Sequence, residues 1–461
     1  MKNEEATKKQ YTVYKCRVDV KDPLFSVFDK WAHLSNNLYN DTLFVLRQLF
    51  VGLSKDRKDM SLLESTTIDS VLEVAKLYNK KLILDKDHRL VSYSFLDFYF
   101  KKTNNENYNS SLPKQTAQYA IKDAFDSFSS WFKALNSYKR NPSMFTGRPK
   151  MPKYRKSGGV YVVKLTNQDA VFYKKKFGYE VKFPKTKHRL QFNNKLKDKK
   201  LKEVNIRHEY GAYKITYLFE DLVELVENKG NVVCGIDIGV NNLVAMQTSK
   251  GDSLLVKGEF IKSKNQWYNK QIAKNLRGQT IGTNNKAISS RALNKIYESR
   301  KLFMEDLMHK VSKKIVKWCQ DKDVSTIVIG SNKFWKQKIN IGKANNQTFI
   351  QMPFSLLIGY IKDNAFKAGI EVVETEESYT SKASFLDLDD IPVYDKDNQV
   401  KHKFSGKRIA RGMYRSKDGL CFNADLNGAG NILRKYYKGQ IDINLDSLIS
   451  PEVLRAANIY K

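Results

Sequence analysis

A short, continuously apolar segment, Val232-Val233-Cys234-Gly235-Ile236, places the tightest constraint on how this chain can fold. An uninterrupted apolar run of this length is typical of a strand that is buried on both faces of a sheet. Two further predicted strands follow at 243–247 and 254–256, and after them helices alternate with predicted strands at 326–329 and 370–373. Consecutive strands followed by alternating strands and helices predict a mixed sheet flanked by helices.

The first third of the chain is predicted to be helical. Apolar residues recur at three- and four-residue spacing from Leu24 to Leu38, and again over 117–135 after Pro113. This spacing is typical of helices that bury one face. The segment 142–152 contains three prolines and therefore cannot form a regular helix, so it predicts a boundary between domains.

The chain is strongly basic. Its 81 Lys and Arg residues outnumber its 49 Asp and Glu residues, which gives a formal net charge of +32 over 461 residues. The usual physical reason for such self-repulsion is a polyanionic partner, most often a nucleic acid. A basic protein of a membrane surface is the alternative, but no segment reaches the roughly 18 consecutive apolar residues of a membrane span. We therefore expect nucleic acid, and no membrane, among the partners.

The positive charge concentrates in one stretch, because residues 148–202 contain 18 Lys or Arg and only three acidic residues. The same stretch is rich in residues that favour strands, so it predicts antiparallel hairpins with one buried and one basic face. Aromatic side chains lie among the lysines, and contacts of lysines with phosphates do not depend on base sequence. The candidate nucleic-acid-binding residues of this stretch are Lys150, Lys153, Tyr154, Arg155, Lys174, Lys175 and Lys176.

Acidic residues stand at the ends of three predicted elements. Asp237 ends the apolar strand, Asp425 begins a helix rich in Ala and Gly, and a glutamate cluster at 374–377 ends the last predicted strand. Each also has a plain structural interpretation, as a turn residue, as an acid stabilised by a helix dipole, or as a solvated strand end. If they meet, their oxygen atoms suit Mg²⁺ or Mn²⁺, and such a pair of ions can promote phosphodiester cleavage.

Four segments stand out as motifs. They are Gly-Ile-Asp-Ile-Gly-Val-Asn-Asn at 235–242, Tyr-Thr-Ser-Lys-Ala-Ser at 379–384, Asn-Ala-Asp-Leu-Asn at 423–427 with Asn431-Ile432, and the junction Phe-Thr-Gly-Arg-Pro-Lys-Met-Pro-Lys-Tyr at 145–154. Together they resemble TnpB, a family of transposon-encoded, RNA-guided DNA nucleases that is related to Fanzor proteins and to type V CRISPR effectors. The resemblance extends over most of the chain.

The resemblance implies a multidomain fold that combines α/β structure with a β-barrel. A wedge barrel of the OB-like kind, which binds RNA and DNA, is interrupted by a helical recognition domain and followed by a RuvC domain of ribonuclease-H-like fold. The expected boundaries are 1–22 and 146–225 for the barrel, 23–145 for the recognition domain, 226–377 and 417–440 for the RuvC domain, 378–416 for an insert, and 441–461 for a C-terminal tail.

The resemblance also implies an activity and its partners. In this family a guide RNA from the transposon end pairs with one strand of a double-stranded target DNA, beside a short adjacent motif that the protein reads. A protein that leaves sequence recognition to base pairing holds its nucleic acids mainly by their backbones, which agrees with the net charge. We expect Mg²⁺ or Mn²⁺ as cofactor, a monomer, and a cytoplasmic, nucleoid-associated location in a prokaryote.

One family position departs from the usual pattern. The family glutamate commonly ends the strand at 326–329, where this chain has Gly330, but some relatives carry it on the neighbouring strand. Glycine at 330 would leave room for a carboxylate from there. We predict Glu377 as this residue, because it stands directly before the motif that begins after Ser378, and Glu376 as the second choice. Alternation puts the two side chains on opposite faces of a regular strand, so only one of them can serve. The implied catalytic and metal-binding residues are Asp237, Glu377 and Asp425.

A second departure concerns zinc. The family often has a four-cysteine zinc ribbon between its last two motifs, whereas residues 385–415 of this chain contain no cysteine. The four cysteines of the whole chain lie far apart, which also argues against a zinc ribbon. We therefore expect no zinc, and a basic insert in its place. The candidate nucleic-acid-binding residues of the insert are Lys407 and Arg408.

Three functions stay open at this point. Gly330 favours a nuclease-dead, RNA-guided DNA-binding repressor of transcription with the same fold, whereas Asp237, Asp425 and the displaced glutamates favour the endonuclease. A transposase of ribonuclease-H fold that transfers DNA strands is a third alternative. The interrupted N-terminal barrel and the motif at Tyr379 argue against it.

Overall fold

The computed structural model describes residues 7–79, 82–192, 199–224, 227–280, 290–331, 351–393 and 402–460. These residues form two compact units, a first one made of residues 9–222 and a second one made of residues 223–460 together with residues 7–8. Each unit combines α-helices with β-sheets, so the predicted mixed α/β character of the chain is confirmed.

Four long helices lie in the first unit. They are α1 (Pro23–Gly52), α2 (Leu62–Ala75), α3 (Tyr93–Lys102) and α4 (Lys114–Arg140), with short 3₁₀ turns at Arg57–Asp59 and Pro142–Met144. Helix α1 begins after Asp22, whose Oδ1 accepts a hydrogen bond of 2.8 Å from the backbone N–H of Leu24. Pro23 suits the first turn because a backbone N–H would have no partner within the helix there. The predicted helices are thus present.

The strands of the first unit form two sheets. They are β1 (Thr7–Val18), β2 (Val163–Thr166), β3 (Val171–Lys174), β4 (Tyr179–Lys182), β5 (Arg189–Phe192), β6 (Lys200–Glu209) and β7 (Ala212–Glu224). One sheet has the order β1-β7-β6-β2 and the other the order β3-β4-β5. The ring of Phe172 joins their cores, since it lies 5.3 Å from Phe192 and 5.5 Å from Tyr217. In the described residues these strands do not pair into a closed barrel, so the wedge barrel stays a prediction.

The second unit is built on a six-stranded sheet. The strands of the whole unit are β8 (Val232–Ile238), β9 (Asn242–Thr248), β10 (Ser253–Lys257), β11 (Val324–Ser331), β12 (Glu371–Glu376), β13 (Lys407–Ala410), β14 (Met413–Arg415), β15 (Cys421–Asn423) and β16 (Glu452–Arg455). Six of them pair in the order β12-β11-β8-β9-β10-β16. Strands β8, β9 and β10 run antiparallel, whereas β11 is parallel to β8 and to β12, and β16 is parallel to β10. This is the mixed sheet that the sequence predicts, with β16 as an unpredicted sixth strand.

Helices cover both faces of this sheet. They are α5 (Glu259–Thr280), α6 (Arg291–Asp321), α7 (Phe354–Lys367), α8 (Ala424–Tyr436), α9 (Leu445–Ile449) and α10 (Ala456–Tyr460). Cys234 and Ile236 of β8 share a core with α6 and α7, whereas Val233 packs with Ile432 and Leu433 of α8. Among the described residues, no helix is both long enough and apolar enough to cross a membrane.

Gly235 allows α8 to lie close to the sheet. A β-carbon at this position would stand only 2.7 Å from the backbone nitrogen of Leu433, so any side chain would push the helix away. Side chains of a strand alternate between the two faces of its sheet. Asp237, two residues after Gly235, therefore lies on the same face as α8.

Strands β13 and β14 of the predicted insert form a small antiparallel sheet with β15, which follows the insert. Tyr414 of β14 is fully buried, packs against Phe422 with ring centroids 5.8 Å apart, and donates a hydrogen bond of 2.8 Å to the carbonyl of Lys382. Gly412 has φ of +86° in the turn between β13 and β14, a conformation that glycine adopts without strain. Its carbonyl accepts a hydrogen bond of 3.0 Å from the N–H of Ala424, which ties the insert to the start of α8.

Candidate functional site

Asp237 is the centre of an acidic site at the end of β8. Gly428 of α8 lies against its carboxylate, because a β-carbon at 428 would clash with Oδ2 of Asp237. Burial, followed by the negative charges of Asp425 and Glu377, raises the pKa of Asp237 from 3.8 to about 7, while the guanidinium of Arg408 acts in the opposite direction. Of the three carboxylates that the sequence singles out, Asp425 and Glu377 therefore both lie close enough to Asp237 to influence it.

Asp425 stands in the first turn of α8 and is held there by two asparagines. The side chain of Asn423 caps the helix and accepts a hydrogen bond of 2.9 Å from the N–H of Asp425. Asn242, at the start of β9, donates from Nδ2 to Oδ2 of Asp425 at 2.7 Å. The Nζ atom of Lys257 donates to Oδ1 of Asn242 at 3.0 Å, so the amide orientation of Asn242 is fixed from both sides.

Glu377 follows directly after β12 and reaches back towards β11. Its Oε2 atom would be 3.3 Å from a β-carbon at Gly330, so the glycine leaves the room that the sequence predicts for a carboxylate. The side chain is partly buried, and burial, with the nearby charge of Glu376, raises its pKa against the opposing effect of Lys435. Glu377, and not Glu376, is among the groups that raise the pKa of Asp237.

Glu376 is turned the other way. Its carboxylate is exposed, pairs with Nζ of Lys435 at 2.6 Å, and accepts a hydrogen bond of 2.5 Å from the N–H of Ser378. These contacts occupy both of its oxygen atoms. The geometry thus favours Glu377 over Glu376 as the third carboxylate.

The turn after Glu377 is fixed by two fully buried asparagines of α8. Asn427 donates to the carbonyl of Ala383 at 2.8 Å and accepts from the N–H of Phe385 at 2.9 Å. Asn431 donates to the carbonyls of Thr380 and Ala383 at 2.9 Å and 2.7 Å. A buried backbone carbonyl needs such a partner, so α8 determines the path of the segment that carries Glu377.

The donor set of this site suits a hard divalent cation. Carboxylate and amide oxygens are the ligands that Mg²⁺ and Mn²⁺ prefer, and a cation would relieve the repulsion that raises the pKa of Asp237. In the part of the chain that the structure describes, no three His, Cys, Asp or Glu side chains already stand close enough to enclose an ion. The carboxylates therefore approach one another without forming a closed cage.

The predicted junction forms a strap along α1, which we define as residues 149–162. Trp131 donates to the carbonyl of Pro149 at 3.1 Å, Arg47 to that of Pro152 at 2.8 Å, Asn40 to that of Arg155 at 3.1 Å, Asn36 to that of Lys156 at 3.1 Å and Ser35 to that of Val162 at 3.2 Å. Four polar side chains of α1 and Trp131 of α4 thus satisfy the backbone of a segment that lacks regular secondary structure until β2. This non-helical path agrees with the prolines in the sequence.

The predicted nucleic-acid-binding residues of the strap fall into two groups. Lys150 and Lys153 are exposed side chains. Tyr154 instead lies under the guanidinium of Arg47, with 4.8 Å between its ring centroid and the guanidinium carbon. The guanidinium of Arg155 stacks on Tyr161 at 4.0 Å and donates to Asn36 at 3.2 Å. Tyr154 and Arg155 therefore have a structural role besides any contact with a nucleic acid.

The remaining basic candidates lie in two places, at the end of β3 and on β13. Lys174, Lys175 and Lys176 are exposed at the end of β3, where Lys175 pairs with Glu180 at 3.3 Å. Lys407 and Arg408 lie on β13 of the insert, and the guanidinium of Arg408 stands 3.6 Å from Oδ1 of Asp425. The structure thus places Arg408 at the acidic site.

Asn242, Asn427 and Asn431 are site residues that the sequence does not single out as such. They occur within the motifs, and the polar side chains of α8 interrupt a segment that otherwise packs closely. Their partners are 183, 44 and 51 residues away along the chain, so only the fold reveals what they bind.

Parts of the chain are similar to known proteins. Residues 214–336, which include Asp237, match a family described as "Probable transposase", OrfB_IS605. The TnpB-like protein ORF457 of Acidianus two-tailed virus is 28% identical over 221 residues, or 46% of this chain. The match spans only 44% of the length of that relative. Both matches confirm the resemblance to TnpB that the motifs predict.

Two solved structures resemble the chain more distantly. The Cas12f1–sgRNA–target DNA complex has 12% sequence identity and a TM-score of 0.34, and covers 92% of this chain and 100% of that one. The mini-RNA-guided endonuclease CRISPR-Cas_phi3 has 11% identity and a TM-score of 0.42, and covers 95% of this chain and 94% of that one. At these TM-scores the structures differ too much for residue roles to be transferred.

Proposed function

We propose that this TnpB-like chain is an RNA-guided DNA endonuclease encoded by an insertion sequence, which cleaves DNA matched to a guide RNA next to a short adjacent motif. The observation that carries the proposal is the approach of Asp237, Glu377 and Asp425 from three separate elements to one end of the mixed sheet. The basic composition supports polyanionic partners.

Asp237, Glu377 and Asp425 would hold Mg²⁺ or Mn²⁺, and a pair of such ions supplies the Lewis acidity for phosphodiester hydrolysis. The other residues of the site prepare these carboxylates. Asn242 orients the carboxylate of Asp425, and the buried Asn431 of α8 fixes the turn after Glu377. Asp237 must be ionised to act as a ligand, so its raised pKa makes the function dependent on pH near neutrality.

We further propose that RNA and DNA are held by a wedge barrel over 1–22 and 146–225 and a recognition domain over 23–145. The RuvC domain would comprise 226–377 and 417–440, with the insert at 378–416 and the tail at 441–461. The order of the six-stranded sheet supports a ribonuclease-H-like arrangement, because three antiparallel strands are followed by two parallel ones on the side of β8. We propose that the protein acts as a monomer.

A nuclease-dead, RNA-guided repressor is the second candidate. Two observations favour it: the usual family position holds Gly330, and no closed three-ligand cage occurs in the described residues. Such a protein would keep RNA-dependent DNA binding without cleavage. We rank the endonuclease first because the carboxylate of Glu377 lies beside Gly330, in the room that the missing side chain leaves.

The test uses protein co-expressed with its native flanking DNA, so that a cognate RNA copurifies and can be sequenced. The complex is then incubated with a library of matching targets in Mg²⁺ and in EDTA. We expect cleavage in Mg²⁺ only, lost in Glu377→Ala and retained in Glu376→Ala. Tight RNA-dependent binding without cleavage under every metal condition would instead identify the repressor.

A further inference from the structure

Arg408 gives Asp425 a counter-charge from outside the sheet. Its guanidinium nitrogen lies 3.6 Å from Oδ1 of Asp425, while Oδ2 accepts the hydrogen bond from Asn242 at 2.7 Å. Both oxygen atoms of Asp425 thus have protein partners. The two partners differ in strength, because 2.7 Å is a short hydrogen bond and 3.6 Å is a loose ion pair.

The small sheet of the insert sets the position of Arg408. Strand β13 pairs with β14 so that Arg408 is opposite the buried Tyr414, and β14 pairs with β15, which leads directly into α8. The carbonyl of Gly412 accepts the N–H of Ala424, the residue before Asp425. The backbone of Arg408 is therefore fixed relative to the first turn of α8.

The pair of Arg408 and Asp425 is also open to solvent on one side. The side chain of Arg408 is 46% exposed and that of Asp425 is 24% exposed, so an incoming anion can reach the guanidinium. Exposed ion pairs of this kind are weak, and a guanidinium binds a phosphate more favourably when it can do so with two hydrogen bonds. A phosphate that draws Arg408 away would leave Oδ1 of Asp425 available to a cation.

We propose that Arg408 is a displaceable counter-charge that occupies Asp425 until a backbone phosphate of the bound DNA strand takes it over, so that DNA binding raises the affinity of the site for divalent metal. This inference rests on the proposed function, because it assumes that Asp425 is a metal ligand. Linkage requires the effect to be reciprocal, so metal also strengthens the binding of DNA.

The first measurement is Mn²⁺ affinity without DNA, determined by electron paramagnetic resonance on the protein with its copurified RNA. We expect Arg408→Ala to bind Mn²⁺ several-fold more tightly than the wild type, and Arg408→Lys to fall between them. Arg411→Ala is the matched control, since it removes an exposed arginine from the turn of the same hairpin and should leave Mn²⁺ affinity unchanged.

The second measurement is the salt dependence of DNA binding in EDTA, where no cleavage occurs. Loss of one phosphate contact lowers the slope of log affinity against log salt by about 0.7 to 0.9. We expect this decrease in Arg408→Ala. An unchanged slope would overturn the part of the inference that concerns phosphate.

Asp425→Asn separates this inference from the proposed function. If Asp425→Asn weakens Mn²⁺ binding but Arg408→Ala leaves it at the wild-type value, Arg408 is not a counter-charge and the metal site stands. Asp425→Asn is also introduced into the Arg408→Ala variant. If it leaves Mn²⁺ affinity unchanged in both backgrounds, Asp425 is not a metal ligand, and both this inference and the proposed metal site are wrong.

Discussion

The Oε2 atom of Glu377 lies 3.3 Å from the point where a β-carbon of residue 330 would stand, so Gly330 and Glu377 share one space beside the sheet. The same β-carbon would be 2.5 Å from Cδ1 of Ile432 on α8. A side chain at residue 330 of β11 would therefore clash with Ile432 and crowd the carboxylate of Glu377. Glycine at 330 is better explained as the complement of Glu377 than as the loss of a site.

We predict that Glu377→Gln slows cleavage roughly 100-fold while leaving guide-dependent DNA binding in place. Removal of the charge takes away a metal ligand, and a loss of about 3 kcal/mol in transition-state stabilisation corresponds to roughly 100-fold in rate. Single-turnover cleavage of a matched target measures the effect. Glu376→Gln is the matched control, because Glu376 pairs with Lys435, and it should cleave within a few-fold of the wild type.

We predict that Gly330→Ala destabilises the second unit and that Ile432→Val partly reverses the loss. The added methyl group meets Cδ1 of Ile432, which valine lacks, and overpacking of this kind costs about 1 to 3 kcal/mol. Thermal unfolding of the two single variants and the double variant measures the coupling. If the change in unfolding temperature of the double variant equals the sum of the changes in the two single variants, residues 330 and 432 are not in contact.

We predict that Asn431→Asp weakens cleavage more than DNA binding. The substitution keeps the shape but removes the amide that donates to the carbonyls of Thr380 and Ala383, and an unsatisfied buried group costs about 1 to 3 kcal/mol. Cleavage rate, DNA affinity and unfolding midpoint are compared. A variant that loses stability but cleaves at the wild-type rate when folded would show that Asn431 does not position Glu377.

We predict that, in EDTA, the wild type becomes less stable relative to Asp237→Asn as the pH rises from about 4 to about 7. Burial and the charges of Asp425 and Glu377 raise the pKa of Asp237 from 3.8 to about 7. As the pH rises, the unfolded chain therefore releases the proton of Asp237 at a lower pH than the folded protein does. The free energy of unfolding falls between these two pH values and does not change further above them. Thermal unfolding of both proteins at a series of pH values checks the sign, and Mg²⁺ at pH 8 should restore stability to the wild type alone.

We predict that two neighbouring cations of the strap behave differently. Lys153→Ala should lower the slope of log RNA affinity against log salt concentration by at most about 0.7 to 0.9. It should leave stability unchanged, as expected for an exposed side chain. Arg155→Ala should lower stability by about 1 kcal/mol, because its guanidinium stacks on Tyr161. Filter binding at several salt concentrations, together with thermal unfolding, distinguishes them; equal stability of the two variants would contradict the structural role of Arg155.

The sequence predicts the mixed sheet and its acidic edge because these depend on local patterns. The apolar run before Asp237 and the spacing of the motifs indicate a buried strand and a helix start without any tertiary information. The contact of Asn242 with Asp425 and that of Arg408 with Asp425 could not be predicted in the same way. Each joins residues from separate elements, and only the packing of α8 on the sheet and of the insert on α8 brings them together.

The strap, too, is predictable from the sequence only in part. Its prolines predict that no regular helix forms, and this is what the structure has. That the segment would lie along α1, with its carbonyls bound by Asn36 and Asn40, depends on side chains more than 100 residues earlier in the chain. Tyr154 and Arg155 are therefore predicted as nucleic-acid-binding residues from the sequence, whereas the structure shows that both also pack within the protein.

The small sheet of the insert is held by the buried Tyr414 and by backbone hydrogen bonds, and no cysteine occurs between 378 and 416. The sheet contains a single cysteine, the exposed Cys421 of β15, so it lacks the four-cysteine ligand set that chelators and thiol oxidants dismantle in a zinc ribbon. The hairpin that carries Arg408 should keep its shape in EDTA. Loss of activity on chelation would consequently report on the carboxylates of Asp237, Glu377 and Asp425 alone, without the collapse of a neighbouring structural metal site.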